Sequence, residues 1–415
     1  MKRSLITTLI IGVAVALVVG ALHATRPIAG FETAAAQFVS NYASATRIVG
    51  EKWHYVFILL IALGVAWIAL SNVPRWSTRL LFGFLFIELL GLSWVCSLYR
   101  VFFQPIPSIF ALVFAVVAAE GWAAFLRRNR SHLARTFFAN RLSKKEFRRL
   151  SNGTIPFDAQ PKAYEVSVAV CNIGNKRGFA EDSEPAVFAE TMAKFIRETA
   201  GRLVEGGAYL QAADGEGVVA IFGFPNSNTD HAEAAVRVVL DLIKNFRTRR
   251  QDNGETFSNW DIHVGISSGA MIAGALKDNE RPILLASGEP IELARRFCAM
   301  NHYYGSSLLI DTPTFDRVNE TIVARPIDFV SGMNSHDRIE IYEPLWLAAE
   351  ARPEQIARRD SFWSGVVLYR EKRWAEAYAE FQKARESEAE VDPPLQFYLR
   401  RVEPLVLQLT ESSLE

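Results

Sequence analysis

The chain has 415 residues, with 45 basic and 45 acidic side chains and a sequence pI of about 7.1. A domain that binds nucleic acid usually carries a basic excess, so no nucleic-acid partner is expected. The three cysteines, Cys96, Cys171 and Cys298, lack the spacing of a disulfide framework or a zinc site, and neither is predicted.

The first 126 residues contain four long runs with few or no charged side chains. A helix needs roughly 20 residues to span about 30 Å of hydrocarbon, and each run is long enough. We therefore predict a transmembrane region over residues 1–126, which makes the lipid bilayer a partner, with helices at about 4–22, 54–72, 79–99 and 107–126.

Basic residues indicate the orientation of these helices. Lys and Arg are concentrated near the helix ends on one side of the membrane, whereas those on the other side are spread over a longer loop. The positive-inside rule therefore places the N terminus and everything after residue 127 in the cytoplasm. We expect a multi-pass protein of the bacterial inner membrane. The first helix is expected to stay as an anchor, and the alternative is a signal peptide cut after Ala24. The outer loop over residues 23–53 is too short for a folded sensor domain.

Residues 127–160 are a charged connector. Apolar side chains at helical spacing alternate with basic ones, which predicts a cytoplasmic connector helix that would carry a membrane signal. The apolar positions are Leu133, Phe137, Phe138, Leu142 and Phe147.

Residues 161–346 alternate between helical and strand patterns. Their β-α-β-β-α-β order predicts an α+β domain with a ferredoxin-like sandwich. The predicted strands are 166–173, 209–213, 218–222 and 260–266, and the predicted helices are 184–204, 230–250 and 291–300. A tight turn at Asp214-Gly215 joins the second and third strands.

Four sequence blocks within this domain occur in a fixed order at residues 170–179, 206–225, 263–274 and 288–296. In order and spacing they resemble the homology domain of class III adenylate and guanylate cyclases. The resemblance implies conversion of a nucleoside triphosphate to a cyclic monophosphate and pyrophosphate, with two divalent metal ions. It also implies dimers, because each active site of the family lies between two such domains.

The resemblance assigns the metal ligands to Asn172 and Glu216, where the family has aspartates. An amide lacks the negative charge that a hard dication prefers, whereas a glutamate is one methylene longer and could still hold one ion. Mg²⁺ or Mn²⁺ is therefore expected if the chain is active, and otherwise no cofactor is expected.

The other functional positions are also changed. The base-reading lysine of the family falls on Ala212, with Gln211 as the nearest polar side chain, and the second base-reading residue falls on Leu285. The ribose-orienting asparagine falls on Glu292. The arginine that stabilises the α-phosphate persists as Arg296, although Arg295 beside it leaves a one-residue shift open.

These substitutions favour a membrane-anchored protein of cyclic-nucleotide signalling whose cyclase-like domain is catalytically impaired, here called a pseudo-cyclase. It would act by regulation or dimerisation, as a homodimer or with another cyclase domain, and a purine nucleoside triphosphate is its expected ligand. The alternative is a divergent active cyclase that uses Glu216 and Arg296, with a carboxylate from Asp182 or Asp214. A third hypothesis is a membrane scaffold with an empty nucleotide pocket.

The C-terminal residues 347–415 contain a helical pair with the spacing of one tetratricopeptide repeat. A stable solenoid usually needs at least three such repeats, so we expect this pair to pack on the cyclase-like domain or on a second copy. The positions that fit the repeat are Gly365, Leu368, Ala377, Phe381 and Ala384.

Overall fold

The structure is a computed structural model of the chain. It describes residues 2–27, 29–43, 47–48, 50–70, 75–155, 157, 160–174, 176–252, 262–276, 283–332, 337–385 and 392–412. These residues form two compact units, Met1–Ser131 and His132–Glu415.

Four helices of the first unit are long and apolar enough to cross a membrane, as the sequence predicts. A further helix, α2, lies in the loop after the first one. The helices are α1 (Lys2–Ala24), α2 (Ala29–Ala43), α3 (Glu51–Leu70), α4 (Arg75–Leu98) and α5 (Pro105–Phe138), and two short strands, β1 (Arg47–Ile48) and β2 (Val101–Phe102), pair in parallel.

Helices α1 and α3 approach each other closely at Gly12. A Cβ on this residue would lie 2.5 Å from the Leu63 side chain, so only glycine allows this contact. Helix α2 contacts the end of α1 through His23 Nδ1 and Glu32 Oε1, which are 2.9 Å apart. Within the described residues between α1 and α3, α2 is a helix of 15 residues.

The connector contains a break that the sequence reading did not predict. Helix α5 ends at Phe138, and a second helix, α6 (Lys144–Ser151), follows. Asn140 between them has φ of 61°, a left-handed conformation that stops a helix. The Ser143 side chain then accepts a hydrogen bond from the Glu146 backbone nitrogen and caps α6. The apolar periodicity continues across the break because both segments pack on the same face of the sheet.

The second unit is built on an eight-stranded sheet with the order β4-β5-β3-β6-β8-β10-β9, and β7 pairs with the far part of β6. The strands are β3 (Lys162–Ile173), β4 (Tyr209–Asp214), β5 (Gly217–Phe222), β6 (Ile262–Leu276), β7 (Ile283–Ser287), β8 (Leu308–Asp311), β9 (Ile322–Ser331) and β10 (Arg338–Leu347). The order β4-β5-β3-β6 is the antiparallel ferredoxin-like arrangement, so the predicted fold class is confirmed. Trp260 and Asp261, predicted to begin the fourth strand, lie outside the described residues.

Helices cover both faces of this sheet. They are α7 (Lys176–Asp182), α8 (Pro185–Glu205), α9 (His231–Asp252), α10 (Glu289–Tyr304) and α11 (Thr312–Val318). Alternate side chains of β3 face opposite sides. Ala169 and Cys171 pack against α8 and α9, whereas Val168 and Val170 pack against the connector and α10.

Strand β6 can lie directly under α10 because residue 265 is glycine. A Cβ there would be 2.1 Å from the Ala294 carbonyl oxygen and 2.5 Å from the Cys298 backbone nitrogen. The third sequence block therefore contains a glycine that sets the distance between the sheet and α10.

In its described residues the C-terminal tail contains three α-helices rather than the predicted pair, namely α12 (Pro353–Arg370), α13 (Trp374–Lys383) and α14 (Pro393–Ser412). The sequence did not predict the third helix, because Pro404 within it is unfavourable for a helix. Burial of Leu395, Tyr398 and Val402 against the rest of the unit outweighs this cost. The tail packs on the cyclase-like domain of its own chain, one of the two outcomes expected for it.

A buried arginine joins the tail to the sheet. Arg325 on β9 makes a bidentate contact with Asp392 at 2.6 and 2.8 Å, and a second contact with Glu343 on β10 at 2.8 Å. Its guanidinium also lies 4.5 Å from the centre of the Phe362 ring on α12. Charge-assisted bidentate pairs fix geometry strongly, so this group defines where α14 begins.

Candidate functional site

The first two sequence blocks meet at a cavity of about 870 Å³ beside the ends of β3 and the β4–β5 hairpin, with α10 along one wall. We call it the site groove. It brings together the two predicted metal positions, one base-reading position and several basic side chains. The polar lining residues are Asn172, Lys176, Asp214, Glu216, His263, Arg295 and His302, and Ala212 lies among the apolar ones.

Asn172 links β3 to the hairpin through both ends of its side-chain amide. Its Nδ2 donates to the Glu216 backbone carbonyl at 3.1 Å, and its Oδ1 accepts from the Ile173 backbone nitrogen at 2.9 Å. An aspartate could not donate the first of these bonds, and its charge would face a carbonyl oxygen. Asparagine at position 172 is therefore matched to its surroundings as a connecting residue.

The Glu216 carboxylate projects into solvent at the tip of the hairpin and is 87% exposed. The ammonium of Lys176, the first residue of α7, lies 3.6 Å from Glu216 Oε1 and donates to the Gly215 carbonyl oxygen. The hairpin is fixed by the Glu216 backbone nitrogen, which donates to Asp214 Oδ1 at 2.9 Å. Lys176 was not among the predicted site residues, although it lies four positions after Asn172 in the first block.

These residues do not fit a pair of divalent metal ions. One ligand position is an amide that is already bonded to the backbone, and the other carboxylate lies beside an ammonium that would repel a dication. Among the described residues no group of three His, Cys, Asp or Glu side chains could hold a metal ion. Asp214 lies in the groove with one oxygen bonded to the backbone, and the side chain of Asp182 lies outside the described part of the chain.

The predicted base-reading positions lie on strands β4 and β7. A register irregularity between Leu210 and Ala212 displaces Gln211, whose Nε2 donates to the Ala286 carbonyl at 3.4 Å. Its Oε1 is buried and has no hydrogen-bond partner among the described residues. Leu285 is 45% exposed, and Ala212 packs against the apolar cluster below the sheet. Gln211 is thus the polar group nearest to both positions.

Helix α10 carries the remaining positions on two different faces. Glu292 and Arg296 are both exposed and one turn apart, and the Arg296 guanidinium donates to the Ser331 carbonyl at 2.5 Å. Arg295 lines the site groove with Asn172, whereas Glu292 and Arg296 are not among the described residues that line it. Within one chain the structure therefore groups Arg295, and not Arg296, with the metal positions.

The two cysteines near the groove do not supply a nucleophile. Burial raises the pKa of the Cys298 thiol to about 12 and raises that of Cys171 as well. The Cys298 thiol also contacts the His263 carbonyl at 3.2 Å. Both side chains act as small apolar residues between the sheet and its helices.

Comparisons with known proteins connect this domain to cyclases. No family model matches the chain. It is 26% identical over 132 residues to adenylate cyclase 1 of Rhizobium meliloti (strain 1021), covering 31% of this chain and 20% of that protein. It is also 26% identical over 207 residues to the terminal-differentiation-specific adenylate cyclase of Dictyostelium discoideum, covering 48% of this chain and 9% of that protein.

The chain thus matches a fifth or less of the length of each of these relatives. Among solved structures, the adenylyl cyclase CyaB from P. aeruginosa is 18% identical, with a TM-score of 0.41 over 47% of this chain and 98% of that one. The ordered sequence blocks, the ferredoxin-like strand order and the similarity to two adenylate cyclases lead to the same assignment. The domain that follows the four apolar helices is thus similar to the class III nucleotidyl cyclase domain.

Proposed function

We propose that this protein is a membrane-anchored pseudo-cyclase that acts in cyclic-nucleotide signalling through dimerisation and not through turnover. The observation that carries the proposal is the arrangement of Asn172, Lys176 and Glu216. An amide bonded to the backbone and an ammonium beside the carboxylate occupy the region where the family requires two anionic ligands. Ala212 and Leu285 add no polar group for base recognition.

The expected loss of rate is large. Loss of groups that orient or complete a metal site typically costs about 10- to 100-fold, and loss of one donor to the developing charge costs about 10²- to 10³-fold. The substitutions at Asn172, Ala212, Leu285 and Glu292 together therefore reduce any residual cyclase activity to a very low level. Asp214 cannot readily compensate, because one of its oxygens already holds the hairpin.

Dimerisation is supported by an exposed apolar face on the β6–β7 hairpin. Ile272, Ile283 and Leu285 are 55%, 55% and 45% exposed, and the strand register places their side chains on the same face. Strand β7 pairs only with β6 in the described part of the chain. A cluster of exposed apolar side chains is typical of a protein interface.

We also propose that the second unit lies in the cytoplasm of a bacterial cell, below an inner membrane crossed by the four apolar helices. The proposal rests on the positive-inside distribution of Lys and Arg around those helices. A reporter enzyme active only in the periplasm, fused after residue 415, should be inactive, whereas a cytoplasmic fluorescent reporter should be bright. The opposite pattern would reverse the orientation.

The main test is cyclic-nucleotide production by the full chain in lipid nanodiscs, supplied with ATP or GTP and excess Mn²⁺. We expect no product above that of an Arg296→Ala variant. The control is Arg317→Ala, which removes another partly exposed arginine, one paired with Glu165. Product that persists in the control and disappears in Arg296→Ala would establish the second candidate, a divergent active cyclase. That candidate is favoured by the arginine at position 296 and by the carboxylate that Glu216 supplies in place of an aspartate.

A further inference from the structure

The Lys176 ammonium holds the position beside the hairpin carboxylate that a cation would otherwise take. Its side chain is 26% exposed, so most of its surface is covered, whereas its partner Glu216 is 87% exposed. Lys176 also donates to the Gly215 carbonyl oxygen. Two acceptors at the hairpin thus fix the ammonium at the edge of the site groove.

Three further basic side chains line the same site groove as Lys176. Arg295 and His302 lie on α10 and His263 lies on β6, and the centres of the two histidine rings are 6.4 Å apart. Lys176, His263 and His302 can donate hydrogen bonds whether they are neutral or protonated. Arg295 is always positively charged and also donates. They form a set of donors suited to the oxygen atoms of a polyphosphate.

We propose that the site groove binds the polyphosphate of a nucleoside triphosphate without a divalent cation, with the Lys176 ammonium in the place of the metal. This inference rests on the proposed function, because an active cyclase would need the metal. A fixed ammonium attracts phosphate oxygens and repels a dication at the same position. The groove should therefore prefer the metal-free nucleotide to its magnesium complex.

The test measures the affinity of the full chain in nanodiscs for ATP, GTP and inorganic tripolyphosphate, once with EDTA and once with excess Mg²⁺. We expect binding in EDTA that is at least as tight as in Mg²⁺. Lys176→Gln should weaken it by about tenfold, the loss of one charge-assisted contact, and Lys176→Arg should largely retain it. The control Lys383→Gln disrupts another lysine–glutamate pair, on α13, and should bind as the parent does.

Glu216→Gln shows whether this carboxylate pairs with Lys176 or holds a metal ion, because the two roles change nucleotide affinity in opposite directions. If Lys176 replaces the metal, removal of the Glu216 charge should strengthen binding in EDTA by several-fold, since a negative charge near the phosphates is lost. If Glu216 instead holds a metal ion, the same variant should weaken binding in Mg²⁺. A weakening confined to Mg²⁺ overturns the proposal.

Failure of this inference differs from failure of the proposed function. Three results would overturn the inference: binding that requires Mg²⁺, an equal loss of affinity in Lys383→Gln, or no binding of any of the three probes. None of them contradicts the proposed pseudo-cyclase, provided that no cyclic nucleotide is produced. Cyclic-nucleotide production overturns the pseudo-cyclase itself. An unchanged unfolding temperature of Lys176→Gln shows that its weaker binding is not loss of the fold.

Discussion

At the scale of single residues, two residues of the site groove, Asn172 and Lys176, act together. Asn172 removes a negative charge and Lys176 supplies a positive one within hydrogen-bond reach of the same hairpin. Restoring the carboxylate alone would leave the ammonium in place, and it would pair with the new charge. Metal affinity should therefore return only when both residues are changed.

We expect the double variant Asn172→Asp/Lys176→Gln to bind Mn²⁺ measurably, since two carboxylates would then face one another at the groove. Each single variant should bind little more than the parent. Titration followed by the electron paramagnetic resonance of free Mn²⁺ measures this directly. If Asn172→Asp alone gained as much Mn²⁺ affinity as the double variant, Lys176 would not be what excludes the metal.

The buried Arg325 makes a different prediction, on stability. Arg325→Leu leaves the Glu343 carboxylate buried without its partner, and breaking such a pair typically costs about 3–5 kcal/mol. The midpoint of chemical unfolding of the second unit should fall accordingly. Arg373→Leu removes an arginine paired with two glutamates at the surface and should leave the midpoint unchanged. Equal effects of the two variants would contradict the role assigned to Arg325.

His231, the first residue of α9, predicts a pH dependence of stability. Burial lowers the pKa of its imidazole below the usual 6.5, and Arg317 acts in the same direction, whereas Glu165 and Asp230 oppose it. The imidazole Nδ1 lies 2.8 Å from the Ser167 hydroxyl oxygen. Between the lowered pKa and about 6.5 the unfolded chain binds more protons than the folded one. Stability should therefore fall as the pH drops below about 6.5.

The measurement is the unfolding midpoint of the parent and of His231→Gln between pH 8 and pH 5, a range chosen to span about 6.5. His231→Gln should show a shallower decrease, because the amide keeps a hydrogen bond to Ser167 without titrating. The exposed His132 provides the control substitution. A decrease that is as steep in His231→Gln as in the parent would assign the pH dependence to other groups.

At the scale of elements, glycines decide how closely helices and strands pack. Gly365 on α12 faces the ring of Phe381 on α13, and a Cβ there would lie 2.7 Å from two ring carbons. Gly265 has the same role between β6 and α10. These contacts explain why the tail forms a close helical hairpin and why α10 lies directly on the sheet.

Gly365→Ala should destabilise the second unit by about 1–3 kcal/mol, because overpacking outweighs the better helix propensity of alanine. The matched control is Gly201→Ala on α8, where a Cβ would meet nothing within 4 Å. That variant should be stabilised by up to about 1 kcal/mol. Thermal unfolding of both variants measures the difference, and a gain in Gly365→Ala would refute the close packing of α12 on α13.

At the scale of the whole molecule, the β6–β7 apolar face predicts the oligomeric state. Ile272→Asp places a charge on this face and should convert a dimer in nanodiscs or detergent to a monomer. Val187→Asp changes a similarly exposed apolar residue on α8 and should remain dimeric. Mass photometry distinguishes the two states. A dimer that persists in Ile272→Asp would place the interface elsewhere.

The sequence by itself determined the four apolar helices and the ferredoxin-like strand order. Hydrophobic length and local periodicity are properties of neighbouring residues, and they need no tertiary information. The turn at Asp214-Gly215 is equally local.

Other features of the fold and of the site groove were decided only by the tertiary structure. The break at Asn140, the third tail helix and the pairing of Lys176 with Glu216 depend on contacts between segments that are distant in sequence. Local patterns cannot show that a lysine on α7 reaches the tip of a hairpin about 40 residues later, or that burial of Tyr398 outweighs the cost of Pro404. The charge balance of the site groove follows from those contacts, and the function proposed here depends on it.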